Sequence, residues 1–219
     1  MTDPRFTVVG FPAWRELRPR LPRFVTGMLL LGPGIALTID ARLGLSPFDV
    51  LHQGIARRTG LSFGTVVILL GAAILLLWIP LRQPFGIGTV LNTLTVGLFI
   101  DLALWIVPEP ELLVWRALML VGGIVVTGLG IGLYIGAGLG PGPRDGLMTG
   151  IAARGQALWL VRTAIELTAL AAGWALGGTV GVGTVLFAFS IGPLGHVFLD
   201  RLHLRAPPGT DLGPGVTGE

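Results

Sequence analysis

Residues 43–58 read LGLSPFDVLHQGIARR, and residues 139–154 read LGPGPRDGLMTGIAAR. The two stretches lie 96 positions apart, and at that shift 32–58 and 128–154 share 15 identities in 27 positions without a gap. Chance in an apolar-rich chain gives roughly three to four, so the chain holds an internal repeat. Past this block the shift becomes 95, and GIGTVLNTLTVG (86–97) aligns with GVGTVLFAFSIG (181–192), six identities in twelve. Each copy reads as a span, a short half-helix, a span and a span.

The solvent around these copies is lipid. Of 219 residues 52% are hydrophobic and only 12% charged, with a mean hydropathy of +0.80. A soluble domain carries about 25% charged residues, so the polar side chains here are too few to cover a wet surface. The 35 glycines fit close helix approach in a bilayer. There is no cysteine, which excludes disulfides, thiolate nucleophiles and cysteine-ligated metal. His52, His196 and His203 are not spaced to place two ligands on one helical turn, so no metal is expected. All fifteen basic residues are arginine, a bias consistent with a GC-rich genome. They lie at span ends rather than on one basic face with interleaved aromatics, which argues against a nucleic-acid partner.

A span needs about 20 apolar residues to cross about 30 Å of hydrocarbon. Six stretches meet this, at about 24–41, 62–80, 86–107, 112–138, 157–177 and 181–199. In the first, Gly32-Pro33-Gly34 is expected to kink or break the helix. The stretches 46–59 and 142–155 are helical in pattern but too short and polar to cross, and read as interfacial or re-entrant half-helices. The domain plan is an Arg/Pro-rich cytoplasmic tail (1–23), a first membrane repeat (24–107), a second (112–200) and a cytoplasmic C-terminal tail (201–219). With both ends inside, eleven arginines lie on the inner side and four (Arg42, Arg57, Arg58, Arg116) on the outer, as the positive-inside rule requires. Three crossings separate equivalent points, so the second copy is inverted relative to the first, a common transporter plan. The fold class is therefore all-α integral membrane, with about six transmembrane helices in two inverted three-span repeats.

The order LGLSPFDVLHQGIA, GIGTVLN, GLGPGPRDGLMTGIA, VRTAIE, GVGTVLFAFSIGP resembles the YczE/YitT-like family of bacterial membrane proteins, in its YczE-like branch, over about residues 25–200. The resemblance implies a multi-pass protein of the bacterial inner membrane. It hands over no catalytic residues, so function is argued from the site.

The equivalent starts Ser46-Pro47-Phe48-Asp49 and Gly142-Pro143-Arg144-Asp145 allow two readings. In one they only begin helices: Ser46 or Gly142 is the N-cap, Pro47 and Pro143 take the first helical position, and Asp49 and Asp145 accept backbone N–H bonds. In the other, two half-helix N-termini at membrane depth hold a polar solute group, and the aspartates shift the preference from an anion to a cation, proton or neutral solute. Arg144 stands where the first copy has Phe48. Arg162 and Glu166 share a face of the fifth span where the first copy has Val66 and Leu70. They form either a structural salt bridge or a proton or cation relay with Arg162 as its gate or as an anchor for Asp145. Asp101, inside the third span, requires a partner, water or the outer interface. His52 and His196 read as interfacial and Asn92 as interhelical glue, while the GxGT starts at 86–89 and 181–184 are tight turns for close packing. No nucleotide motif or Ser/His/Asp arrangement suggests an enzyme, and no cofactor is expected.

The residues thus point to a transporter or channel-like permease for a small solute or ion. The pathway candidates are Asp49, Arg144, Asp145, Arg162, Glu166 and Asp101. The alternative is a non-transporting scaffold or regulator of a partner enzyme, docked through the 1–23 tail. The lipid bilayer is the obligatory partner, and a monomer and a homodimer fit equally well.

Overall fold

The computed structural model describes residues 14–202, and its secondary structure among those residues is entirely helical. Residues 1–13 and 203–219, with the outer parts of both tails, lie outside the described residues. The helices are α1 (Trp14–Leu17), α2 (Leu21–Ala41), α3 (Pro47–Thr59), α4 (Phe63–Leu81), α5 (Ile87–Ile106), α6 (Leu113–Gly136), α7 (Pro143–Ala152), α8 (Leu158–Ala175) and α9 (Val182–Leu202). The half-helices are therefore α3 and α7, at 13 and 10 residues.

Five helices, α2, α4, α5, α6 and α9, are long and apolar enough to cross a membrane. The sixth expected span is the 18-residue α8, which is not among them. Arg162 and Glu166 lower its apolar character at mid-helix, where each charge weighs against a whole turn of leucine. The expected tail also differs in its last turns. α1 is a helical turn, Leu17 is buried in the main core beside Phe24, and α2 begins at Leu21.

Of the kink or break expected at Gly32-Pro33-Gly34, the break does not occur: α2 runs unbroken through Pro33. The flanking glycines are there for packing. A Cβ on Gly32 would overlap Phe99 of α5, and one on Gly34 would sit 2.6 Å from Thr127 Oγ1 of α6. Neighbouring helices thus hold the proline-bearing segment on two sides. The α2–α6 seam continues through Gly27, Gly123 and Gly130, each within 3 Å of the facing backbone if given a Cβ. Small residues allow this approach where lipid supplies no hydrophobic drive between helices.

The two copies exchange their half-helices. α3 packs on α8, the third helix of the second copy, and α7 packs on α4, the third helix of the first. Individual bonds repeat in the same exchanged fashion. Gly88 N–H donates to Leu139 O at 2.9 Å and Gly183 N–H to Leu43 O at 2.7 Å. Arg58 caps the end of α8 at Leu176 O (3.3 Å), and Arg154 caps α4 at Pro80 O (3.1 Å). Positions 43 and 139, 58 and 154, and 80 and 176 are equivalent by the 96-residue shift, and 88 and 183 by the later shift of 95. The GxGT starts are thus tight approaches to the loop before the other copy's half-helix, as their glycines require.

One contact is not repeated. α4 and α5 cross so closely at Gly64 and Gly97 that a Cβ on either would overlap the other's carbonyl. The equivalent positions are Leu160 and Gly192; Gly192 faces open space, and α8 and α9 make no comparable contact among the described residues.

Candidate functional site

The N-termini of α3 and α7 meet. The Arg144 guanidinium lies over the Phe48 ring, 5.2 Å from its centroid, so the residues at one equivalent position in the two copies touch each other. A guanidinium so placed is attracted to the negative face of the ring.

Around this contact the structure gathers most of the expected pathway residues. Ser46 is the N-cap of α3, its Oγ accepting from Asp49 N–H at 3.2 Å, with Pro47 at the first helical position. The Ser46 hydroxyl in turn donates to Asp49 Oδ2 at 2.5 Å. The other Asp49 oxygen meets His52 Nδ1 at 3.2 Å. All three residues are buried, with His52 set edge-on to Phe63 and tilted against Phe48. Asp49 stands between Ser46 and His52, so the imidazole does not activate the hydroxyl and the geometry is not that of a nucleophilic triad.

In α7, Gly142 is an N-cap without a side chain, and Pro143 follows it. Asp145 Oδ2 accepts from Tyr134 Oη at 2.8 Å, and Asp145 Oδ1 lies 3.9 Å from Arg144 Nε. The Pro143 carbonyl accepts from the buried Trp78 indole at 3.1 Å. The aspartates were expected to accept orphan backbone N–H bonds. Their recorded hydrogen-bond partners are instead side chains: Ser46 and His52 for Asp49, and Tyr134 for Asp145. Helix initiation alone does not account for them.

Arg162 Nε donates to Glu166 Oε1 at 3.1 Å, the i,i+4 pair expected in α8. Asp145 is anchored by Tyr134 and Arg144 rather than by Arg162. Asp49, Arg144 and Asp145 lie where α3 and α7 meet, and the Arg162–Glu166 pair stands on α8, which packs on both half-helices. These three carboxylates and two guanidiniums sum to one formal negative charge.

Asp101 is not in this group. It accepts from Ser62 Oγ at 2.5 Å and from Gly64 N–H at 2.7 Å, stapling α5 to the first turn of α4. Asn92 donates to Met28 Sδ at 3.4 Å between α5 and α2, the interhelical role expected of it. His196 is exposed beside Asp200 at 3.4 Å.

His52, Tyr134 and Trp78 belong to the site and were not assigned to it from the sequence. His52 follows Asp49 by three residues, one helical turn, which was the available signal. Tyr134 is the sole tyrosine and replaces Thr38 of the first copy. Trp78 is 1% exposed, unlike Trp105, Trp115, Trp159 and Trp174, which are exposed.

Comparison with known proteins returns relatives along nearly the whole chain. An uncharacterised protein of Haemophilus influenzae is 37% identical over 198 residues, covering 90% of this chain and 91% of the relative. The uncharacterised membrane protein YczE of Bacillus subtilis is 36% identical over 181 residues, covering 81% and 84%. The uncharacterised protein YyaS of Bacillus subtilis is 32% identical over 179 residues, covering 79% and 89%. No solved structure matches. The resemblance to YczE read from the half-helix motifs is thus established at the level of the sequence as a whole. Matched over residues 19–200, with five helices apolar enough to span and a membrane protein among its relatives, the chain is an integral membrane protein belonging to the family of unknown function DUF6198.

Proposed function

We propose that the protein is a permease of the bacterial inner membrane that passes a small solute across the junction of its two half-helices. The observation that carries this reading is the contact of Phe48 with Arg144. Equivalent residues touch each other only near a two-fold axis relating the copies. The exchanged pairs α3–α8 and α7–α4, and the self-equivalent pair α2–α6, support the same axis. Three helices apolar enough to span, α4, α5 and α6, separate the half-helices, so in this reading the second copy is inverted and the half-helices enter from opposite faces. With α8 as the sixth span, both termini are cytoplasmic. Setting aside Arg144, which faces the junction, ten inner arginines remain against four outer ones.

The net negative charge at the junction favours a cation or a proton-coupled neutral solute over an anion. In this reading Glu166 takes up and releases the coupling charge, Arg144 and Arg162 set its field, and Asp49 and Asp145 line the passage. Asp101 acts from a distance by holding α4 against α5. The protein works without catalytic turnover or a cofactor.

The test is solute-driven internal pH change in proteoliposomes, screened over small amines, metabolite cations and neutral solutes. Glu166→Gln is expected to lower coupled flux at least tenfold while leaving the melting temperature near that of the wild type. A melting temperature that falls in step with flux in Glu166→Gln, Asp49→Asn and Asp145→Asn alike would make the cluster structural. The scaffold reading, with the 1–23 tail as its docking element, would then stand.

A further inference from the structure

A second polar site lies away from the half-helix junction, at the C-terminal end of α2. A cleft of about 410 Å³ is lined there by Asp40, Arg42, Gln53, Arg57, Glu109 and Thr179. That volume is within the range of small-molecule sites, about 300–1,000 Å³.

Asp40 is 6% exposed, and its Oδ2 is buried without a hydrogen-bond donor. A buried carboxylate oxygen without a donor is strongly disfavoured, so such a group is held for a partner or for a proton. The other polar side chains of the cleft already have partners. Arg42 pairs with Glu109, and Arg57 donates to Gly177 O and, at 3.1 Å, to Thr179 Oγ1. Gln53 Oε1 accepts from Thr179 N–H at 2.7 Å. Asp40 is thus an acceptor surrounded by satisfied groups.

The repeat supplies an internal control. Asp40, Arg42 and Arg57 correspond to Gly136, Gly138 and Ala153 in the second copy. The same helix end is built there without a charge, so the fold does not need these side chains. Arg42 even holds a left-handed backbone, φ 52°, at the position its counterpart fills with glycine at φ 65°. A non-glycine residue kept in that region points to a use for its side chain.

We propose that this cleft binds a small solute through a protonated amine donated to Asp40. A divalent ion is the poorer fit: calcium and magnesium ask for six or more oxygens, and the one other carboxylate here is held by Arg42. The site is separate from the junction, and its occupancy can be measured without transport.

The experiment is calorimetric titration of the purified full chain in nanodiscs with ethanolamine, and with tetramethylammonium as a cation of equal charge that has no N–H. Saturable ethanolamine binding, reduced at least tenfold in Asp40→Asn and not shared by tetramethylammonium, is the expected result. A separate reading uses Gln53→Cys, labelled with a neutral maleimide in the otherwise cysteine-free chain; ethanolamine should slow the labelling at least threefold. This reading does not depend on how Asp40→Asn folds. Equal binding by Asp40→Asn, or no saturation with ethanolamine and no protection at position 53, overturns the proposal and makes Asp40 a buried, protonated structural group.

Discussion

At the residue scale, each half-helix start joins helix capping to the chemistry of the site, and the two contributions separate experimentally. Ser46→Ala removes both the cap of α3 and the hydroxyl on Asp49. Loss of a serine cap costs about 1 kcal/mol, so thermal unfolding in detergent should show a drop of a few degrees. Ser46→Gly copies the second repeat's Gly142 and preserves a tolerated cap, so its effect on stability should be a fraction of that seen for alanine. Any flux defect shared equally by the two variants then reports the missing Asp49 partner. Arg144 permits a sharper contrast. Arg144→Lys keeps the charge beside Asp145 but loses the planar stacking on Phe48, whereas Arg144→Phe writes the first copy's residue into the second and strips Asp145 of its neighbouring cation. Arg144→Lys should retain measurable flux and Arg144→Phe should abolish it, in the same proteoliposome assay. A reversed order would remove charge from the role given to Arg144.

At the element scale, the half-helices were legible because their punctuation is local. Ser-Pro-x-Asp and Gly-Pro-x-Asp open a helix whatever surrounds them, and both begin where the motifs place them. The fate of Gly32-Pro33-Gly34 was not legible, since local propensity argues for a break and the deciding contacts come from Phe99 and Thr127, 67 and 93 positions on from Gly32 and Gly34. The limits of α8 are legible, but Arg162 and Glu166 make its spanning status depend on what faces it. The packing of α7 on α4 includes an interlock that the sequence also hides: a Cβ on Gly146 would overlap the Trp78 ring. Overpacking of this kind costs about 1–3 kcal/mol. Gly146→Ala should therefore lower the melting temperature, and Trp78→Leu in the same chain should recover part of the loss. Additive losses in the double variant would show that the ring and the glycine do not meet.

At the scale of the whole molecule, the repeat in the sequence fixes equivalences but not directions, and the direction of the second copy decides the mechanism. Identity at 15 of 27 positions says that 32–58 and 128–154 share a local structure. Only the number of crossings between them says whether they face the same side, and the helices that lie between them are α4, α5 and α6. The contact of Phe48 with Arg144 likewise joins residues 96 positions apart, and neither copy encodes it alone. Because the chain lacks cysteine, Gln53→Cys and Thr149→Cys report the direction without background. The two positions are equivalent, one half-buried in α3 and one exposed in α7. A membrane-impermeant thiol reagent should label position 53 in right-side-out vesicles and position 149 in inside-out vesicles. That outcome requires an odd number of crossings between them, as α4, α5 and α6 supply if each spans. Labelling of both from one face requires an even number, which would take one of these three helices out of the membrane and leave the copies parallel. The meeting of Phe48 with Arg144 would then be a packing contact within one leaflet, with no route from one side of the membrane to the other.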